Sequence, residues 1–412
     1  MGVGPVLIVE PVPGAVTAAV GLWVRRGSGH EPDALAGVTH LLEHLLLRRC
    51  GTRTPPAIAR LIDSLGGAVD AYTTRETCAV TAHVPASRFT DALNLVIDAV
   101  FRPVVRDREL AVEQAVVAAE FDLVQDSPAE VAAERALHAC WGAHPLARPV
   151  LGSREVVARL TADQVLAFHE RTFIPANVVL VAVGPTSEEA LASRLPVTVA
   201  EGTEEPALPP VSWRSEVVLD ERAGLEQVYA NLVMPGFPSG HQDSFALGLL
   251  HQLLGGGTSS RLFRELRERR GLVYEVESSV FSTSVAGVLE VTFSTPVRHI
   301  RSCLDAVVEV LERVAGGGIS DREVELARQA LMSSLVLGSE GCDSRLEAYA
   351  GEWLTRGFRY DPRRLAGELA AVTPEQVRDV AARVVQVSQL AGALCGPAEG
   401  LLVSPWLARK VA

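Results

Sequence analysis

The 412-residue sequence has no long hydrophobic run and no pattern of a secretion signal. Its first residues do not place an apolar segment after a basic one, as a signal peptide does. No segment reaches the roughly 20 apolar residues that span a membrane. We therefore expect a cytoplasmic protein that has no membrane partner.

The sequence also lacks paired cysteines. Its six cysteines are scattered and form no C-x-x-C pair; they are Cys50, Cys78, Cys140, Cys303, Cys342 and Cys395. This spacing argues against a disulfide framework and against a cysteine-ligated metal. We expect these side chains to act as small buried hydrophobic groups.

An excess of positive charge is absent as well, since the formal net charge is −12. Binding to nucleic acid is therefore not expected, because neutralising phosphates needs a basic surface. Long-range attraction would favour a basic peptide as ligand. The alternative is that the excess of carboxylates simply keeps the protein in solution.

The composition that is present, 48% hydrophobic and 21% charged, is typical of a well-packed protein with two or three domains. Strand-like segments alternate with amphipathic helical segments along the first 126 residues. This order predicts an α+β fold in which helices pack on one face of a mostly antiparallel sheet.

The most informative stretch is the H-x-x-E-H pattern formed by His40, Glu43 and His44. The surrounding residues 35–47 have apolar side chains at helical spacing, so both histidines share one face of a largely buried helix. Two imidazoles four residues apart can bind one metal ion, as in the reversed zinc motif. Glu43 lies close enough to act on a water molecule without being a ligand. The alternative is a core helix whose histidines make ordinary hydrogen bonds.

A second helix, predicted over residues 106–126, carries a row of glutamates that includes Glu113 and Glu120. Carboxylates along a helix are usually solvated. Glu120 differs because most of its neighbours in the sequence are apolar, so its charge needs a partner.

Two segments of the sequence repeat each other. A threonine-capped helix that leads to a buried strand begins at Thr161 and again at Thr373. Gly184 and Gly396 follow these two threonines at the same distance, which indicates a duplicated half. The alternative is two unrelated helix–strand units. We predict a first domain at 1–200, a linker rich in proline and glutamate at 201–212, and a second domain at 213–412.

In the second half, an arginine-rich helix over 261–270 contains Arg267 and is followed by Gly271 and Tyr274. The glycine run before this helix is a poor match to a phosphate-binding loop, since no Lys-Ser/Thr follows it. Most of the arginines are expected to lie on a solvated helix face. The helix predicted over 243–254 contains His251 without an H-x-x-E-H pattern, so we expect no duplicated metal site.

Taken together, these motifs resemble the pitrilysin/insulinase-type zinc peptidases, also called inverzincins. The resemblance covers nearly the whole chain and is greatest to the bacterial branch similar to mitochondrial processing peptidase. It implies that His40, His44 and Glu120 bind Zn²⁺ and that Glu43 is the general base. It also implies that Glu113 supports the site.

The resemblance implies further roles. Arg267 and Tyr274 correspond to the family's arginine–tyrosine pair, which hydrogen-bonds the substrate carbonyl. The substrate is expected to be an unstructured peptide that adds to a sheet edge. On this basis we assign substrate contacts to Asp70, Ala71 and Thr73.

The sequence departs from the family pattern at two places. Asp70 stands where the family usually has asparagine, which would favour a basic peptide. The loop after His44 is longer than usual, so the rim of the site is expected to differ.

The expected function is therefore that of a zinc metalloendopeptidase that cleaves unstructured, leader or presequence peptides. Family members of this length form half of a clamshell, and two chains enclose a chamber. Because this chain carries both the zinc motif and the Arg/Tyr pair, we expect a homodimer, with a heterodimer of homologous subunits as the alternative. The alternative function is a peptide-binding subunit that is not catalytic or that depends on a partner. The sequence does not separate a dedicated leader peptidase from an enzyme of general peptide turnover.

Overall fold

A computed structural model of the chain describes residues 5–192, 194 and 207–397. Residues 201–206 of the predicted linker lie outside the described residues. None of the helices in the described part of the chain is both long and apolar enough to cross a membrane. All six cysteines are buried and unpaired.

The strands of the described residues form two five-stranded sheets. The strands are β1 (Val6–Pro11), β2 (Thr17–Val24), β3 (Ala68–Thr73), β4 (Cys78–Pro85), β5 (Val178–Gly184), β6 (Val217–Glu221), β7 (Gln227–Gly236), β8 (Val276–Ser282), β9 (Gly287–Pro296) and β10 (Ala391–Gly396). The α-helices are α1 (Val38–Leu46), α2 (Pro55–Leu65), α3 (Phe89–Phe101), α4 (Asp107–Gln125), α5 (Pro128–Trp141), α6 (Arg154–Val157), α7 (Ala162–Thr172), α8 (Glu188–Ala192), α9 (Ser244–Gly255), α10 (Ile300–Ala315), α11 (Asp321–Leu337), α12 (Cys342–Arg356), α13 (Pro362–Ala371) and α14 (Pro374–Val384). A π-helix spans Phe263–Arg269.

The first sheet has the strand order β1-β5-β2-β4-β3 and the second has the order β6-β10-β7-β9-β8. In each sheet one pair of strands, β1 with β5 and β6 with β10, is parallel and the other pairs are antiparallel. The predicted α+β fold with two homologous halves is therefore confirmed. The repeated threonines Thr161 and Thr373 each form a capping box at the start of a helix that precedes a buried strand.

The chain divides into two compact units that are not continuous in sequence. The first unit contains residues 1–122, 148–208 and 338–360, and the second contains 123–147, 209–337 and 361–412. Each unit thus includes a helix from the other half of the sequence: α12 packs on β2 and β5, and α5 packs on β7 and β10. No periodicity in the sequence indicated this exchange.

Ion pairs fix these exchanged helices to their sheets. Arg345 on α12 pairs with Glu10 on β1. Arg135 on α5 places its Nε 2.5 Å from Oδ2 of Asp220, a buried carboxylate on β6. In each sheet, an acidic residue of the first strand therefore forms an ion pair with the helix that comes from the other half of the sequence.

The core of the first unit explains the position of α1. Strand β2 is buried along both faces, since Ala18, Val20 and Leu22 belong to the hydrophobic core shared with α1 and α3, while α12 covers the opposite face. Helix α1 begins at Val38, later than the apolar pattern suggests, because Gly37 adopts a left-handed conformation with φ of 98°.

Candidate metal centre

Helix α1 presents both histidines of the H-x-x-E-H pattern on one face. The ring centroids of His40 and His44 are 4.7 Å apart, and the planes meet at 75°. The leucines on the other side of the helix are almost completely buried in the core; they are Leu41, Leu42, Leu45 and Leu46. Their burial fixes the rotation of α1, so the histidines face the same space.

Helix α4 supplies the carboxylates that meet these histidines. Oε2 of Glu120 lies 2.8 Å from Nε2 of His40, and Oε1 lies 3.4 Å from Nε2 of His44. Two helical turns before Glu120, Oε2 of Glu113 lies 3.2 Å from Nδ1 of His44. Glu113 is nearly buried, whereas the Glu120 side chain is 32% exposed. The two glutamates therefore contact different nitrogen atoms of His44.

The three residues are close enough together to hold one metal ion. One ligand atom from each of His40, His44 and Glu120 lies within 4.8 Å of the others. Ligands bound to Zn²⁺ at about 2.0–2.1 Å would be separated by about 3.3 Å in a tetrahedron. The 2.8 and 3.4 Å separations around Glu120 lie close to this value. Because Nδ1 of His44 is occupied by Glu113, its Nε2 remains available as a ligand.

Glu43 lies beside this group rather than in it. Its Oε2 is 3.3 Å from Nδ1 of His40, and it accepts a hydrogen bond of 3.4 Å from Oγ1 of Thr73. The Glu43 side chain is 13% exposed, so it has access to a small amount of solvent. A carboxylate with this access and no role as a ligand suits a general base.

Carboxylates determine the electrostatics of His40. Burial lowers the pKa of His40, but hydrogen bonds and charges from Glu43 and Glu120 raise it by more, so its pKa lies above the usual value of 6.5. The site therefore stabilises positive charge between its two carboxylates. A metal cation has the same sign.

The predicted substrate residues lie on β3, the edge strand of the first sheet. Thr73 contacts Glu43, as described above. Ala71 is half-buried against the core on the face towards α1. Asp70 is exposed, and because side chains alternate along a strand it lies on the opposite face, together with Tyr72. Thr73 therefore forms a hydrogen bond to another predicted site residue.

Arg267 and Tyr274 belong to the second unit, whereas the residues above belong to the first. The guanidinium carbon of Arg267 lies 5.1 Å from the Tyr274 ring centroid and 4.8 Å from that of Phe263. Glu265, a buried carboxylate in the π-helix, pairs with Arg269 at 2.9 Å. The structure therefore brings the predicted Arg/Tyr pair together, and Tyr274 is 81% exposed.

Sequence reasoning missed two groups that support the site. Nε of Arg48 lies 2.5 Å from Oε1 of Glu113. Arg48 lies four residues after His44, but α1 ends at Leu46 between them, so helical spacing did not indicate this contact. The second is a hydrogen-bonded chain behind β3: Nε1 of Trp23 donates to the Tyr72 hydroxyl at 2.8 Å, and this hydroxyl donates to Glu347 at 3.0 Å. Glu347 is on α12, so no local pattern reveals this contact.

Two family profiles match the chain. The profile of insulinase (peptidase family M16) matches residues 6–154, and that of the peptidase M16 inactive domain matches residues 159–331. The second match covers the half whose helix α9 carries His251 without an H-x-x-E-H pattern.

Two solved structures have the same fold. A peptidase M16 inactive domain from Pseudomonas fluorescens has a TM-score of 0.86 and 22% identity, with 96% of both chains covered. A protease from Helicobacter pylori also has a TM-score of 0.86, with 18% identity over 96% of this chain and 98% of that one.

The chain is also similar in sequence to several bacterial proteins. It is 32% identical to an uncharacterised zinc protease of Mycobacterium tuberculosis over 95% of this chain and 91% of that protein. It is 28% identical to an uncharacterised zinc protease of Bacillus subtilis over 91% of this chain and 92% of the relative. Because the chain has these relatives and matches both family profiles, it belongs to the pitrilysin/insulinase-type peptidases of family M16.

Proposed function

We propose that this protein is a zinc metalloendopeptidase that cleaves unstructured peptides, including leader or presequence peptides. The observation that carries this proposal is the convergence of His40, His44 and Glu120, whose ligand atoms lie within 4.8 Å of one another, with Glu43 beside them. Three protein ligands leave a fourth position open, which is the arrangement of a catalytic rather than a structural zinc site.

His40, His44 and Glu120 would hold the ion. Zn²⁺ bound there supplies a Lewis acid that polarises the scissile carbonyl and makes water more acidic. The contact between His44 and Glu113 orients one imidazole for this purpose, since a hydrogen bond at Nδ1 leaves Nε2 as the ligand.

Glu43 is the proposed general base. Its carboxylate takes a proton from the attacking water while the water oxygen bonds to the scissile carbonyl carbon. It returns this proton to the amine nitrogen as the C–N bond breaks. The Thr73 hydroxyl donates to Oε2 of Glu43 and so holds this carboxylate towards the edge strand β3.

The substrate is proposed to bind along β3. This strand pairs only with β4 among the described strands, so its other edge can accept an extended peptide through backbone hydrogen bonds. The exposed Asp70 at this edge, together with the net charge of −12, favours peptides that carry basic side chains.

Arg267 and Tyr274 are proposed to hydrogen-bond the substrate carbonyl and the oxyanion that develops from it. The exposure of Tyr274 supports this role, because its hydroxyl is free to meet a ligand. The pair would reach the substrate from the same chain or from a second subunit. Since one chain carries the zinc ligands and the pair, we propose a homodimer that encloses the reaction.

The purified chain alone tests these proposals. After zinc reconstitution, elemental analysis should give one zinc per chain, fluorogenic peptides should be cleaved, and the mass in solution should be that of a dimer. A chelator should remove activity and added zinc should restore it.

Other results would contradict specific parts of the proposal. A chain that binds less than one zinc would point to a non-catalytic peptide-binding subunit. A chain that binds zinc but cleaves peptides only after a second gene product is added would replace the homodimer with a heterodimer. A cleavage profile on a random peptide library would separate a dedicated leader peptidase from an enzyme of general turnover.

A further inference from the structure

Glu31 is a buried carboxylate that no motif of the sequence indicated. Its side chain belongs to a residue that is only 5% exposed. Oε2 accepts a hydrogen bond of 2.7 Å from the N–H of Gly37, and Oε1 accepts one of 2.7 Å from the N–H of Thr39. Burial raises the pKa of Glu31, and these two N–H groups only partly oppose that effect. Burying a carboxylate costs desolvation free energy, so we expect Glu31 to have a specific structural role.

Glu31 acts at the start of α1, where its carboxylate accepts from backbone N–H groups. The N–H groups in the first turn of any helix have no partner within the helix. The N-cap residue here is Gly37, which has no side chain to supply one. Thr39 is the second residue of α1 and His40 is the third, so a proposed zinc ligand lies in the turn that needs the cap.

The length of α1 makes this cap more important. The helix has only nine residues and carries all three residues of the H-x-x-E-H pattern. Helices this short do not hold their first turn by intrinsic propensity. If the first turn frayed, His40 would lose its fixed direction while His44, one turn later, would keep its own.

Glu31 is itself held in place from a distant segment. Nη2 of Arg148 donates to the backbone oxygen of Glu31 at 2.7 Å, and Nη1 donates to Oδ1 of Asp33 at 2.7 Å. A Cβ atom on Gly152 would come within 2.2 Å of the Gly37 nitrogen, so this backbone crossing requires glycine. The cap is therefore built into a rigid support rather than placed on a loose loop.

We infer that Glu31 is a positioning residue that fixes the first turn of α1 before any ion binds, so that His40 presents Nε2 towards Glu120. This inference rests on the proposed zinc site. Glu31 contacts no proposed zinc ligand, so it acts through the backbone of Gly37 and Thr39.

The variant Glu31→Gln tests the inference, because its amide replaces one acceptor oxygen with a donor that faces a backbone N–H. We expect the zinc Kd, measured by chelator competition on the folded protein, to rise by about 10- to 100-fold, as for other residues that orient metal ligands. The visible absorption of the cobalt-substituted protein should change as well, because the cobalt ion reports the geometry of its ligands.

Asp361→Asn is the matched control. The Asp361 carboxylate accepts from the N–H groups of Arg363 at 2.9 Å and Arg364 at 3.3 Å at the start of α13, a helix without proposed ligands. This variant makes the same carboxylate-to-amide change at the start of another helix and should leave the zinc Kd and the cobalt spectrum unchanged. An unchanged Kd in Glu31→Gln, or the same rise in Asp361→Asn, would overturn the inference.

Hydrogen exchange decides the matter even if Glu31→Gln does not fold. In the metal-free wild-type protein, the amides of residues 37–41 should exchange slowly, because Glu31 already orders them. Rapid exchange of this segment in the wild type would overturn the inference. A wild-type chain that shows slow exchange but binds no zinc would instead refute the proposed function and leave the cap intact.

Discussion

Nδ1 of His44 lies 3.2 Å from Oε2 of Glu113, and this contact joins helices α1 and α4 through two residues that are 69 positions apart in the chain. The other oxygen of Glu113 is 2.5 Å from Nε of Arg48, so the carboxylate lies between a cation and an imidazole. The orientation of His44 therefore depends on a residue that is not itself a proposed ligand.

Glu113→Gln should weaken zinc binding by about 10- to 100-fold, because the amide no longer serves as a fixed acceptor for the Nδ1 proton of His44. Chelator competition at constant pH measures the Kd. Glu109→Gln is the control on the same helix, since Glu109 pairs with Arg49 and not with a histidine. Equal zinc Kd values for Glu113→Gln and the wild type would show that His44 is oriented by its packing alone.

Glu43→Gln should keep one zinc per chain and lose turnover by about 10²- to 10⁴-fold, the usual contribution of a general base. The amide has nearly the same shape but cannot take a proton. Zinc content and the kcat for a fluorogenic peptide are measured on the same preparation. Full activity in this variant would remove Glu43 from the proposed mechanism.

Tyr274→Phe and Arg267→Gln should each lower kcat, by about 10²-fold or more if they hydrogen-bond the oxyanion, while the zinc Kd stays unchanged. The physical reason is that these groups belong to the compact unit without the zinc motif and, in the proposed mechanism, contact the substrate and not the ion. Arg264→Gln, an exposed change in the same π-helix, serves as the control. A loss of zinc binding in either variant would contradict this assignment.

Tyr72→Phe should lower the free energy of unfolding by about 1–3 kcal/mol, because it leaves the Trp23 N–H and the Glu347 carboxylate without their shared partner. Urea unfolding followed by tryptophan fluorescence measures the loss. Tyr274→Phe is the control: it also removes a tyrosine hydroxyl, but at a position that is 81% exposed, and should leave stability unaltered. Equal midpoints for both variants would mean that the chain behind β3 does not stabilise the fold.

Acid should destabilise the second unit partly through Glu323. A hydrogen bond from Arg261 lowers the pKa of Glu323 from 4.5 to about 2, against the opposing effect of burial. A depressed carboxylate pKa contributes stability that is complete above pH 4.5 and is lost as the pH falls towards 2.

Glu323→Gln should therefore be less stable than the wild type at neutral pH and show a smaller loss of stability between pH 4.5 and 2. Urea midpoints at several pH values in this window test the change in slope. Glu325→Gln is the control on the same helix, where the carboxylate is 55% exposed. Identical slopes in wild type and Glu323→Gln would contradict the linkage.

Much of the fold followed from local patterns. The apolar alternation of β2 and the left-handed Gly66 that ends α2 are properties of short segments, so they could be recognised from sequence. The repeat around Thr161 and Thr373 likewise predicted two sheets of the same kind. The exchange of α5 and α12 was not predicted, because helices with mixed surfaces do not indicate which sheet they will cover.

The sequence by itself determined the pairing of His40 with His44, because residues four apart on a helix share a face whatever surrounds them. It also indicated that Glu120 needed a partner, because its neighbours are apolar. Only the tertiary structure decided that Glu120 meets both imidazoles, that Glu113 contacts His44 and that Glu31 caps α1. These contacts depend on how separate segments pack in three dimensions, and the spacing of residues within one helix carries no information about that packing.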